Sequence, residues 1–291
     1  MKKYYVFAGI SILCWSSMAT VVKLLLGAMD SMTALFLSSL FAVLGLLLVG
    51  IFSKKLRLLR RYRWRDYLNM VLIGLPGNLL YNVFYYAGAA RMPAAEAFIV
   101  NYLWPIMSVV FACILLKEKM TPAKLLGLLL SFLGVFFVIG ESLFAFDVGS
   151  LAGAGLCVLG AVSYGAFCAL NQKHDYDPTI ATMVSYGSVA ILTGAFVLCT
   201  GEIPPLRAPQ LLGLAWNGGM TLGVATITWI LALGAGNTAK ISNLAYLTPV
   251  LSLLWTFLFL KEEIQPLALV GLGVIMLGIF IQLLWRGRAP E

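Results

Sequence analysis

The residues best equipped for chemistry are amides, hydroxyls and rings gathered in a few stretches. Asn78, Tyr81, Asn82 and Tyr85 follow at helical spacing, as do Ala97, Asn101, Trp104 and Ser108 shortly after. A helix puts Asn78, Asn82 and Tyr85 on one face with Tyr81 at its border. Trp229, Tyr246 and Thr248 form a later group, and Trp15 stands near the start. Such side chains do not break bonds. They hold a small amphipathic molecule, the rings stacking on its apolar part while amides and hydroxyls meet its polar ends.

Catalysis would instead require a nucleophile with its base, an acid-base pair or a metal cluster in one pocket. The single histidine, His174, stands with Asp175 and Asp177 in a stretch that reads as solvated loop. The five cysteines (Cys14, Cys113, Cys157, Cys168, Cys199) lie in apolar runs without metal-ligand spacing. No catalytic centre, metal or cofactor is expected. Two ionisable residues are candidates for coupling. Glu96 falls in the first turn of a helix, where the dipole favours a carboxylate, so it reads as a cap or as a proton-exchanging group. Lys240 falls near the start of a later helix, where the dipole is unfavourable.

Composition tells what must position these groups. Hydrophobic residues make up 61% of the 291-residue chain and charged residues only 11%, against roughly 25% charged in soluble proteins. This places the chain in lipid. Met1, Lys2 and Lys3 precede an apolar run from Tyr4 to Val22 that is too long for a secretory signal and ends at Lys23 without a cleavage pattern, so it reads as a retained first span. Charges, prolines and glycines divide the chain into ten apolar segments: 4–26, 31–52, 67–90, 94–116, 122–140, 150–170, 179–200, 210–234, 239–260 and 265–284. Each is long enough for the hydrocarbon core. Continuous runs without alternation predict helices, giving an all-α polytopic membrane protein.

Basic residues orient these spans. With the N-terminus in the cytoplasm, sixteen of the twenty Lys and Arg fall inside, leaving Lys23, Arg91, Arg207 and Lys261 outside. The positive-inside rule then puts both termini in the cytoplasm. The net charge of +8 is thereby explained by topology and implies no nucleic-acid partner; the bilayer is the surface the chain meets.

The chain also repeats itself. An offset of 144 residues carries Tyr102, Leu103 and Pro105 onto Tyr246, Leu247 and Pro249, and Ser108 onto Ser252. It carries Lys117 and Glu118 onto Lys261 and Glu262, Pro122 onto Pro266, Gly127 onto Gly271 and Gly134 onto Gly278. Two repeats are expected, 1–145 and 146–291. Five helices per repeat is an odd number, so the second copy enters from the opposite side. Inverted repeats are a ground plan of secondary transporters, which hold substrate near the midplane between halves and alternate access around it. Pro105 and Pro249, at mid-span on the matched helices, each remove a backbone donor and are the expected hinges.

These motifs resemble the EamA branch of the drug/metabolite transporter superfamily: a Tyr-Leu-x-Pro helix, a Lys-Glu turn and a Pro-then-Gly helix, twice, over nearly the whole chain. Glu96 with Val100-Asn101-Tyr102-Leu103-Trp104-Pro105 resembles the aromatic amino-acid exporters of the YddG type. So do Trp15-Ser16-Ser17-Met18, Cys168 ahead of Lys173, Trp229 with Gly236-Asn237, and Tyr246-x-Thr248-Pro249-Val250-Leu251-Ser252. Lys240 departs from that pattern, standing where those exporters carry an apolar residue. The resemblance implies an inner-membrane exporter of aromatic or other bulky neutral amino acids, working by alternating access; a monomer or a homodimer is expected. The competing reading is a proton-coupled transporter of organic cations, held by cation-π contact with Glu96 exchanging protons. An intramembrane enzyme is the remote alternative.

Overall fold

The computed structural model describes residues 2–200, 203–233 and 244–285. Lys240 and the Gly236-Asn237 pair lie outside the described residues. Helix accounts for 84% of the described residues, and no strand occurs among them, as the unbroken apolar runs predict.

In chain order, α1 (Lys2–Ser16) and α2 (Met18–Leu26) meet at Ser17, and α3 (Ser31–Phe52) is followed by a 3-10 turn at Lys55–Arg60. Next, α4 (Trp64–Gly74) passes through a π-helical stretch, Leu75–Leu80, into α5 (Tyr81–Ala89). Then come α6 (Ala94–Asn101), α7 (Trp104–Leu115), α8 (Pro122–Val138), the short α9 (Gly140–Phe144) and α10 (Val148–Asn171). After α11 (Pro178–Thr200), α12 (Ala208–Leu214) runs through a second π stretch, Ala215–Val224, into α13 (Ala225–Leu233). The chain closes with α14 (Leu247–Trp255), a π turn at Thr256–Leu260 and α15 (Pro266–Trp285).

Five of these stretches are long and apolar enough to cross a bilayer: Lys3–Leu26, Ser31–Phe52, Ala94–Leu115, Val148–Asn171 and Pro178–Thr200. Pro122–Val138, Leu247–Leu260 and Pro266–Ile281 are shorter apolar helices. Helix starts carry their own stop signals. Asp30 accepts from the amides of Met32 and Thr33 at 2.9 and 3.0 Å, and Asp177 from those of Thr179 and Ile180 at 2.9 and 3.2 Å. Hydrogen bonds from the Ser150 side chain and amide hold the Asp147 carboxyl, which caps α10, below the usual carboxylate range.

The prolines are accommodated in two ways. At Gly74-Leu75-Pro76-Gly77 the chain stays helical and widens into a π stretch, which absorbs an extra residue around the missing Pro76 donor. The second π stretch falls at the matching place in the other repeat. At Pro105 and Pro249, the expected hinges, the helical run is interrupted just ahead of the proline. Asn101 cannot receive a bond from Pro105, so α6 tightens, with Tyr102 N donating to Ile99 O and Leu103 N to Val100 O at 3.0 and 3.2 Å. α7 then restarts with Pro105 in its first turn, where a proline is tolerated. Likewise Ala245 and Tyr246 form a turn, and α14 begins at Leu247 just ahead of Pro249.

The chain forms two compact units, each drawing on both sequence halves: Met1–Leu79 with Asp175–Leu260, and Leu80–His174 with Lys261–Glu291. In the first unit α3 packs on α11 and on the Ala215–Val224 stretch, and α1 packs on α13. In the second, α8 crosses α15 and α10 lies against α5 and α7. The α8–α15 crossing is reciprocal. A Cβ built on Gly134 would lie 2.7 Å from the Gly271 carbonyl oxygen, and one on Gly278 the same distance from that of Gly127. Each repeat offers its earlier glycine to the later glycine of the other, as related copies do across a two-fold axis.

Candidate substrate-binding site

The second unit gathers half of the expected substrate-binding residues: Tyr81, Asn82, Tyr85, Asn101 and Trp104. Asn101, the last residue of α6, donates its Nδ2 to the Tyr81 hydroxyl at 3.0 Å. The Tyr81 ring stacks on Tyr85, 6.0 Å between centroids and 7° from parallel, one helical turn along α5. Around them stand three further rings. Tyr164 of α10 lies 4.9 Å from Tyr81 and 5.3 Å from Trp104, meeting the latter edge-on at 82°. Tyr102 meets Trp104 on its other flank at 6.3 Å.

Glycines on α10 permit this closeness. A Cβ on Gly165 would fall 2.5 Å from the Met107 Cβ and 2.8 Å from the Ser108 nitrogen, so only glycine lets α10 lie against α7. Gly160 faces the backbone at Tyr81 and Tyr85, where a Cβ would stand 3.3 Å from the Tyr81 carbonyl oxygen. Tyr164 falls between these two glycines and reaches both Tyr81 and Trp104.

Tyr81, Trp104 and Tyr164 are half-buried, so their faces form the accessible part of the cluster. Asn82, Tyr85 and Asn101 are buried beneath. The Asn101 Oδ1 and the Tyr85 hydroxyl have no hydrogen-bond partner among the described residues and are closed to solvent. A buried amide oxygen without a donor costs on the order of 1 to 3 kcal/mol. Opening the Asn101–Tyr81 bond would free the Asn101 amide nitrogen and the Tyr81 hydroxyl beside them. The rings supply stacking area and the amide supplies direction.

Other expected site residues fall elsewhere. The Asn78 side chain donates to the Ser185 hydroxyl at 2.8 Å inside the first unit, which ties the π stretch to α11. Its helical register with Asn82 and Tyr85 did not foretell this, because the π stretch rotates the helix between them. In the first unit Trp15 and Trp229 pair at 5.4 Å with a 58° tilt, and Trp229 also packs on the Ala8 and Ala232 core. Thr248 is buried and Tyr246 half-buried at the turn before α14. Ser108 turns its hydroxyl back to the Pro105 carbonyl at 2.6 Å.

Glu96 is not the cap of its helix. The amides of Ala94 and Ala95 are taken by the Glu262 carboxylate, at 2.9 and 3.1 Å. Pro93 at the helix start has no side-chain acceptor to offer. Glu96 is 7% exposed, and its Oε2 has no partner among the described residues.

Tyr164 was not among the expected residues. It stands in a small-residue run, Ser163-Tyr164-Gly165-Ala166, whose flanking glycines at 160 and 165 are the one sequence sign that a ring there is drawn close to another helix.

The profile of the EamA-like transporter family matches residues 2–140 and again 151–284. The chain belongs to the EamA-like transporter family. It is a membrane transporter, and its similarity to named transporters points away from an enzyme. An uncharacterized transporter of Archaeoglobus fulgidus is 24% identical over 97% of this chain and 98% of its own length. The uncharacterized inner membrane transporter YhbE of Escherichia coli is 27% identical over 93% of this chain and 90% of its own. The aromatic amino acid exporter YddG of Ancylobacter novellus is 27% identical over 62% of this chain and 64% of its own. A solved crystal structure with 21% sequence identity matches with a TM-score of 0.71 over 99% of both chains, which speaks to fold alone.

Proposed function

We propose that this EamA-family transporter exports aromatic or other bulky neutral amino acids across the inner membrane, by alternating access of two inverted five-helix repeats. The observation that carries this reading is the ring cluster of Tyr81, Trp104 and Tyr164 over Asn101. Aromatic contacts of this kind contribute about 0.5 to 1.5 kcal/mol each beyond area burial, and an amide beside them orients a zwitterion's polar end. The likeness to an aromatic amino acid exporter supports the same substrate class. Ten spans with both termini inside follow from the charge distribution and the odd repeat. The matched Lys-Glu turns agree with that repeat, because Lys117 and Lys261 adopt the same left-handed backbone, φ 59 and 58°. Counterflow into proteoliposomes loaded with phenylalanine, tryptophan, alanine or an organic cation tests the proposal. Aromatic amino acids should exchange fastest.

One observation favours a second reading. Glu96 keeps a buried carboxylate oxygen without a partner among the described residues, and an intramembrane carboxylate is a coupling candidate. Under this reading the same rings hold an organic cation and Glu96 exchanges a proton. The pH dependence of transport by the Glu96→Gln variant separates the two.

A further inference from the structure

On the first unit, α3 and the helix from Leu212 to Val224 enclose an apolar groove of about 920 Å³. Leu44, Leu48 and Phe52 form one wall, and Leu212, Trp216 and Met220 the other. Its nearby polar groups are already engaged. Trp216 Nε1 donates to the Ser17 hydroxyl at 2.8 Å, and the Ser53 hydroxyl donates to the Val49 carbonyl at 2.6 Å. The groove thus suits a hydrocarbon chain and offers nothing to a polar solute.

The lining ends at Phe52 and Ser53. At the next residue, Lys54, the backbone turns left-handed (φ 57°) into the Lys55–Arg60 turn. Lys54, Arg57, Arg60, Arg61, Arg63 and Arg65 are all exposed there. This segment is fixed in place. Leu56 packs on Gly50, the Tyr67 hydroxyl donates to the Leu59 carbonyl, and the Tyr62 hydroxyl accepts from the Asp177 amide at 3.0 Å. Its acidic neighbours leave the exposed arginines uncompensated: Asp177 pairs with Lys55 at 2.8 Å, and Asp66 accepts from the Arg63 backbone amide at 2.7 Å. Trp64, 76% exposed, stands among the arginines as an interfacial ring does.

Orientation alone would require the charges but not a rigid basic platform beginning where an apolar groove ends. We propose that this is a binding site for an anionic phospholipid, with one acyl chain in the groove and the headgroup on the Lys54–Arg65 segment. Basic clusters beside a span attract anionic headgroups, and the groove supplies the second, apolar half of the recognition. The groove belongs to the first unit and the ring cluster to the second, and the proposal does not depend on the transported substrate.

The test uses the purified full-length protein in detergent with equal amounts of phosphatidylglycerol and phosphatidylcholine, bound lipid being counted by native mass spectrometry. Phosphatidylglycerol should be retained about tenfold over phosphatidylcholine. The triple variant Arg57→Gln, Arg60→Gln, Arg61→Gln should abolish that preference. Leu48→Trp, filling the groove, should reduce phosphatidylglycerol retention with every arginine in place; Met220→Trp on the opposite wall serves if Leu48→Trp does not fold. Equal retention of the two lipids, or undiminished retention by both groove variants, overturns the proposal. So does a dimer that Leu48→Trp dissociates, since a second copy would then occupy the groove.

Discussion

The carboxylate of Glu262 sits on the N-terminus of α6, accepting from the amides of Ala94 and Ala95 at 2.9 and 3.1 Å. A residue of the second sequence repeat thus fixes the helix that ends in Asn101. Losing such a cap costs about 0.5 to 2 kcal/mol. Glu262→Ala should lower the thermal midpoint of the detergent-solubilised protein, and Glu262→Gln, which keeps one acceptor, should fall between it and the parent. Equal midpoints for all three would show that these bonds contribute nothing.

The reciprocal glycine contacts between α8 and α15 make a second prediction. At Gly134 a methyl group would meet backbone 2.7 Å away, whereas at Gly9 a Cβ meets nothing within 4 Å. Overpacking of this kind costs about 1 to 3 kcal/mol, while glycine to alanine in an open helix interior gains up to about 1 kcal/mol. Gly134→Ala should therefore destabilise and Gly9→Ala should not, as read from unfolding midpoints. A reversed order would mean that the two helices can separate at no cost.

Topology can be read directly. With the five native cysteines replaced, single cysteines at Lys119 and Glu263 should differ toward a membrane-impermeant thiol reagent applied outside cells. Only the second should label. Equal labelling would remove the inverted arrangement, and alternating access with it.

Glu96 separates the two transport readings. Its neighbours in the second unit include Glu141, Glu262 and Asp147, all acidic. If Glu96 serves only the fold, Glu96→Gln should transport with the parent's pH profile, and this is the outcome expected for an amino-acid exporter without proton coupling. A flattened profile with substrate binding intact would favour the proton-coupled cation reading instead.

Much of this protein is legible in its sequence because lipid leaves few choices. Apolar runs must be helices, and the runs expected from 31, 94, 122 and 179 begin as helices at Ser31, Ala94, Pro122 and Pro178. The Tyr81–Tyr85 stack was legible too, since spacing along a helix fixes which of its own side chains can meet. What escaped was set by contacts between distant segments. Tyr164 reaches Tyr81 only because α10 presses close at Gly160 and Gly165, and Asn78 turns to Ser185 because the π stretch changes its register. Glu262 caps α6 across 168 residues of sequence, a contact that the first turn of that helix, with Glu96 in it, does not announce.

The central claim is that Asn101, Trp104 and Tyr164 bind the substrate. Counterflow in proteoliposomes measures it: Asn101→Ala, losing a buried polar contact of about 1 to 3 kcal/mol, should slow aromatic amino-acid exchange roughly 5- to 150-fold. Trp104→Ala and Tyr164→Ala should slow phenylalanine and tryptophan more than alanine, since stacking area is what they remove. Tyr4→Ala should change little. If all three site variants insert normally and exchange every substrate at the parent's rate, the cluster is structural and the substrate binds elsewhere.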